Sequence, residues 1–303
     1  MKFTPRFASA NIVIVVLLSF GMLACHSNKS SEANDLSATA SQDTAAKKIA
    51  PKNIFYSIPS PIEIGQLLKS AGATYNKDYL NPVENVSKYV TSNGKALNLG
   101  VYGTDLSFTS IFDKSQESMF YLKCTNTLAT GLGINGAFGE STTSRVQANM
   151  DNKDSLLHII SDAYWAADSY LKDNQRPNTS SMIIAGGWIE GLYIATKIAV
   201  SSNNQNIAVR IAEQKSSLQN LISLLQNSSN QDQDIRNLLV QLKELNADFA
   251  VLQTTQSKTT VSTDKAHNIT TIGNNSKTTI TNEQLKTIAD KVETIRNNVI
   301  KQY

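Results

Sequence analysis

Histidine, proline and cysteine are scarce in this chain of 303 residues, which holds three, six and two of them. His26, His158 and His267 stand far apart, with no HxxxH or HExxH spacing. A histidine-built metal site is therefore not expected, although carboxylates alone can hold a hard cation. Charge of one sign is also lacking: 28 basic side chains face 25 acidic ones. No basic face for nucleic acid is expected from that balance. The patterns GxxxxGK[ST] and GxSxG are missing, which removes the common phosphate loop and nucleophile elbow. Neither a cofactor nor a catalytic set is expected.

The first 25 residues read MKFTPRFASANIVIVVLLSFGMLAC. Lys2 and Arg6 give a short positive start, and an apolar run follows from Ile12 to Leu23. At roughly a dozen residues the run is short of the about 20 that span a bilayer. A charged start, a short apolar centre and small Ala24 describe an export signal, residues 1–24. Cys25 follows Ala24 directly, and the pattern resembles a lipobox, with Met22 where Leu is usual. Cys25 is thus the expected lipidation site. Lipid there ties the chain to a membrane, stably when two or three acyl chains are attached. It also leaves Cys124 without a disulfide mate, so a buried core thiol is expected. Without residues 1–24 the chain has 26 basic and 25 acidic side chains, a balance of +1.

Residues 25–52 are the lipidated cysteine and a tether poor in core-forming residues. About 25 such residues span roughly 25–30 Å. A helical domain is expected over 53–203, and a helical hairpin, a small β-ribbon and a final helix over 204–303. The fold class is mainly α. Ser60 and Pro61 suit a helix start and Gly72 its end. Asn81-Pro82 opens a second helix, weakened by Gly94, Gly100 and Gly103 and broken near Gly94. Asp113 with Gln116 resembles a cap for the next helix, which runs to Ala129. GLGINGAFG reads as a turn-rich connection. Over 141–174, Leu156, Leu157, Ile160, Ala163, Tyr164, Ala167, Tyr170 and Leu171 share one helical face. Arg176-Pro177 interrupts, and 180–200 is apolar nearly all round, which describes a central buried helix.

Heptads mark the rest. Ile211, Leu218, Leu221 and Leu225, with Gln214 at one seam position, precede Ile235, Leu238, Leu242, Leu245, Phe249 and Leu252. Helices 204–227 and 232–256 are expected as an antiparallel hairpin. Leu285, Ile288, Val292, Ile295 and Val299 carry the same rhythm, to pack with the hairpin or on the main body. Alternating Thr, Val and Ile predict a hairpin pairing 268–272 with 277–281 around Gly273-Asn274-Asn275, and Asn282 then caps the final helix.

Candidate ligand-binding residues cluster in AGGWIEGLYIAT. Gly187, Gly191 and Ala195 are four apart and form a strip for close helix approach. Glu190 stands in an apolar helix, where a carboxylate needs a partner or a raised pKa. Lys95, Arg145, Lys197 or a backbone amide are the candidate partners. Trp188 and Tyr193 are read as core or pocket lining. Asp105 is read as a local hydrogen-bonding residue or as the second member of a carboxylate pair with Glu190.

The phrases SIPSPIEIGQLLKSAGA, LNPVENVSKYV, ALNLGVYGTDLS and AGGWIEGLYIAT are together similar to a family of uncharacterised lipoproteins from Bacteroidota, over residues 53–200. That resemblance implies export, lipidation and a Gram-negative envelope, and it transfers no activity. It also implies that His26 after Cys25, in place of Asp, permits transit to the outer membrane, with a periplasm-facing body. Surface display goes with an acidic cluster after the cysteine, and SNKSSEAND holds only Glu32 and Asp35. The resulting expectation is an envelope lipoprotein that binds a protein partner or a ligand without catalysis. The rivals are a carboxylate enzyme around Glu190 and a homo-oligomer through 204–256.

Overall fold

Ser60 begins the first helix by a reciprocal cap. Its hydroxyl accepts the Glu63 amide at 3.3 Å, and the Glu63 carboxylate accepts the Ser60 amide at 2.6 Å. Helix α1, Pro61–Ser70, runs from there, and Gly72 closes it at φ +88°. The computed structural model describes residues 58–150, 152–228, 232–256, 260–264, 269–273 and 276–301, all in the compact unit Lys48–Tyr303. Residues 1–24, Cys25 and the tether to 52 lie outside the described residues, as do His26 and His267.

The helix expected from Pro82 is two elements. A 3-10 segment, Val83–Lys88, stops early, and α2, Ser92–Ile111, restarts where the Thr91 hydroxyl accepts the Gly94 amide. The break thus precedes Gly94, which sits in a first turn. Gly100 and Gly103 lie inside the continuous helix α2 and permit close contact. A methyl on Gly100 would overlap the Ile183 carbonyl and Gly187 amide of α7, Pro177–Ser202, and one on Gly103 would strike the Tyr164 ring. Gly186 of α7 faces the Leu97 carbonyl in the same way. Two backbones therefore touch at the centre of the molecule, tied further by the Thr104 hydroxyl donating to the Gly187 carbonyl at 3.0 Å. The small-residue strip is split between partners: Gly187 meets α2 and Gly191 faces Ile64 of α1.

Three other expectations shift here. Helix α3, Ser115–Gly131, has no side-chain cap; Asp113 instead adopts φ +57° and pairs with Lys69 at 3.4 Å. The glycine-rich connection contains a short helix, α4, Asn135–Phe138. The expected 141–174 helix is α5, Glu140–Ala148, and α6, Lys153–Asp173. The Asn149 side chain bonds back to the Arg145 carbonyl, and Asn152 caps Ser155 at 3.0 Å, so local side-chain bonds replace the helical ladder. On α6 the predicted apolar face is buried except at Tyr164, which is half-buried, and Tyr170, which is exposed. Helix α7 is buried on nearly all sides, as its composition predicts. It is long and apolar enough to cross a membrane, but protein surrounds it.

The 204–227 segment is also divided, into α8, Gln205–Ala212, and α9, Lys215–Ser228, at Glu213 and Gln214. Helix α9 pairs with α10, Gln233–Ala250, and Lys215 reaches the Ala250 carbonyl, which fixes the antiparallel sense. The heptad side chains from Ile211 to Phe249 named above are buried within the chain, apart from the polar Gln214. The ribbon has four strands, β1 Gln253–Gln256, β2 Thr260–Asp264, β3 Ile269–Gly273 and β4 Ser276–Thr279. β1 pairs with β4 and β2 with β3, all antiparallel, so the predicted pairing of 268–272 with 277–281 does not form. Asn274 and Asn275 of the expected turn lie outside the described residues.

Helix α11, Asn282–Lys301, is capped by Thr281 rather than Asn282. The Thr281 hydroxyl accepts the Gln284 amide and the Gln284 side chain accepts the Thr281 amide. It lies on α7, α2 and α10 together. Asn98 donates to the Val299 carbonyl at 3.1 Å, Lys197 meets Glu293 at 3.1 Å, and Lys291 meets Asp248 at 2.9 Å.

Candidate functional site

Glu190 on α7 is fully buried, and its partner is none of the four expected. Arg296 of α11 grips it with two parallel hydrogen bonds of 2.9 Å each, Nε to Oε2 and Nη2 to Oε1. The expected cations lie elsewhere: Lys95 runs past Gly131, Arg145 pairs with Asp162 and Lys197 with Glu293. Arg296 itself is 5% exposed. It stands four residues after Val292 and three before Val299, inside the apolar stripe of α11. A cation in such a stripe is the signal that points to a buried acid.

Asp105 of α2 completes the set. Its Oδ2 accepts the Asn81 amide at 3.1 Å, and its carboxyl lies in hydrogen-bond reach of Glu190. Burial holds the Asp105 carboxyl well above the usual carboxylate range, the Glu190 charge adds to this, and Arg296 and the Asn81 amide work against it. Asp105 therefore holds a proton more tightly than an ordinary aspartate. Burial works against the Arg296 charge, yet the Glu190 carboxylate outweighs it and pushes the guanidinium pKa up. The trio thus sets two acids against one cation, with proton affinity raised on Asp105.

Aromatic rings close it off. Tyr193 lies over the Arg296 guanidinium, 4.6 Å from carbon to ring centre. Tyr89 accepts from the Asn81 side chain at 2.9 Å, and its ring meets Tyr102 edge-on at 6.2 Å. Of the four candidate binding residues, Asp105, Glu190 and Tyr193 thus meet at one place. Trp188 points elsewhere, two residues round the helix, and its indole N–H is buried without an acceptor. Cys124 is buried beside Val83 with its thiol pushed up to about 12, first by burial, in keeping with a core residue. His158 is exposed near Asp162, and no cluster of three metal-ligating side chains occurs among the described residues.

Trp188 faces an apolar chamber of about 70 Å³ between α1, α2, α6 and α7, lined also by Gly100, Tyr164, Ala167, Leu171 and Ile183. Its polar wall is already satisfied: Asp168 accepts from Ser180 at 2.5 Å and from Lys172 at 2.7 Å. The chamber shares Ile58, Ser60, Ile62, Ser161 and Trp165 with a wider outer recess of about 370 Å³. Glu63, Gln66, Asp154 and His158 line that recess. Of its walls only Trp188 was read from the sequence as pocket lining; the others come from four helices and look like ordinary core. Neither cavity is lined by Glu190, Asp105 or Arg296. No family model, curated protein or solved structure matches the chain.

Proposed function

We propose that the chain is an envelope lipoprotein, held on a membrane by lipid on Cys25, whose helical body binds a ligand or protein partner without catalysis. The two-part cavity between α1 and α6 carries the binding half of this reading. It opens to solvent and places apolar and polar walls side by side. The carboxylate-enzyme alternative has Glu190 at its centre. That side chain is fully buried and held by Arg296, so it meets no substrate. The oligomer alternative needs an apolar seam on 204–256, and those side chains are spent inside the chain.

The anchoring half rests on Lys2, Arg6, the short apolar run and Ala24-Cys25, and on the resemblance to envelope lipoproteins. It assigns the outer membrane, with the body facing the periplasm. The test is in-cell crosslinking and fractionation of wild type against Cys25→Ala in a Gram-negative host fed a clickable fatty acid. The expected result is label on wild type alone, in the outer-membrane fraction, and a crosslinked partner that Cys25→Ala loses. Label on Cys25→Ala, or none on wild type, overturns the anchor.

A further inference from the structure

The geometry points to the cavity between α1 and α6 as a site for a short-chain alkyl cation, its tail in the inner chamber and its charged head in the outer recess. This deepens the binding reading above and rests on it.

The inner chamber fixes the tail. Its walls are overwhelmingly apolar, and the one acid there, Asp168, already has two partners. A cavity of about 150 Å³ holds a benzene ring. By the same scale the chamber, at about 70 Å³, holds about three carbons and excludes a ring. A longer tail continues through the neck, where Ile58, Ile62 and Trp165 offer apolar surface on the way out. Trp165 is 37% exposed, a large ring left at the mouth of the neck.

The outer recess fixes the head. Glu63 and Asp154 bring two carboxyl groups to it, with His158 and Gln66, and among the described residues no Lys or Arg lines either cavity. Charge complementarity therefore selects an ammonium over a carboxylate or phosphate head. Glu63 is also fixed in place by its bond from the Ser60 amide, so one wall of the head site is set before any ligand arrives.

The chain supplies its own reporter. It has two tryptophans, Trp165 and Trp188, and both line the chamber. The full chain carrying Cys25→Ala, free of detergent, is titrated with ω-bromoalkylamines of three to eight carbons and with ω-bromoalkanoates of the same lengths. Bromine at the tail end quenches a nearby indole. The expected result is saturable quenching, tightening by about fourfold per methylene until the chamber and neck are full. Amines bind at least about fivefold tighter than the matched alkanoates, and Asp154→Asn, on the surface, narrows that ratio. Ser161→Phe at the shared neck weakens the amines by at least about tenfold, with unchanged circular dichroism. Absence of saturable quenching in the wild-type pocket overturns the assignment, as do alkanoates binding as tightly as amines. An unchanged Asp154→Asn ratio overturns the head site even if Ser161→Phe fails to fold. Any of these failures leaves the binding-module reading to its own crosslinking test.

Discussion

The two sides of helix α7 solve opposite problems with residues two apart in sequence. Toward α11, Glu190 is surrounded by Asp105, Arg296 and Tyr193, every strong charge is paired, and no cavity described above reaches it. Toward α6, Trp188 borders open space and leaves an indole N–H without an acceptor. The first side is polar and closed; the second is apolar and open. Polarity thus does not mark the open space in this core. The buried charges act as a clasp between three helices, and the proposed binding space lies where the chain is greasiest.

The largest expected effect breaks the clasp. Arg296→Met leaves Glu190 and Asp105 buried without a cation and should cost about 3–5 kcal/mol in urea unfolding. Adding Glu190→Gln to that variant should restore much of the loss; if it restores none, the pairing is not what Arg296 contributes. Next is the seam between α2 and α7: Gly100→Ala should cost about 1–3 kcal/mol, because its methyl meets backbone that cannot yield. A neutral result would show that the two backbones stand further apart.

A smaller effect sharpens the charge assignment. Asp105 binds its proton more tightly in the fold than in the unfolded chain, which releases it near the usual 3.8. Above that pH the folded state binds the extra proton. The stability from this group is therefore full below that value and falls as pH rises toward the folded pKa, by about 1.4 kcal/mol per unit. Asp105→Asn should remove that slope while changing stability little at low pH, as read from thermal melts between pH 4 and 7. An unchanged slope would mean that Asp105 is ionised in the fold. The smallest effect is expected on the open side, where Ser161→Phe at the half-buried neck should stay within about 0.5 kcal/mol of wild type.

The mainly α class, the buried character of α7 and the Ser60 cap were legible because each follows from local composition or spacing. The breaks at Asn149 and Asn152 and at Gln214 were not, since the apolar period continues across them while side-chain hydrogen bonds divert the backbone. The ribbon register was missed for another reason. Alternating Thr, Val and Ile has a period of two and suits more than one partner, so β4 chose β1 over β3. At the clasp, the sequence marked Glu190 as needing a partner and named Asp105 as a companion. It did not find Arg296, because that pairing crosses 106 residues and belongs to tertiary packing alone. Of the cavity only Trp188 was legible as pocket lining, because its other walls look like ordinary core.

That separation has a consequence in time. A ribosome adds about 5–20 residues per second, so Glu190 is made about 5–20 seconds before the guanidinium that neutralises it. Until then the α2–α7 seam carries an acid it cannot bury, and the nascent chain is kept from closing its own centre. The fold is locked only when nearly all of the described chain has been synthesised, which holds a growing polypeptide in a loose, still threadable state.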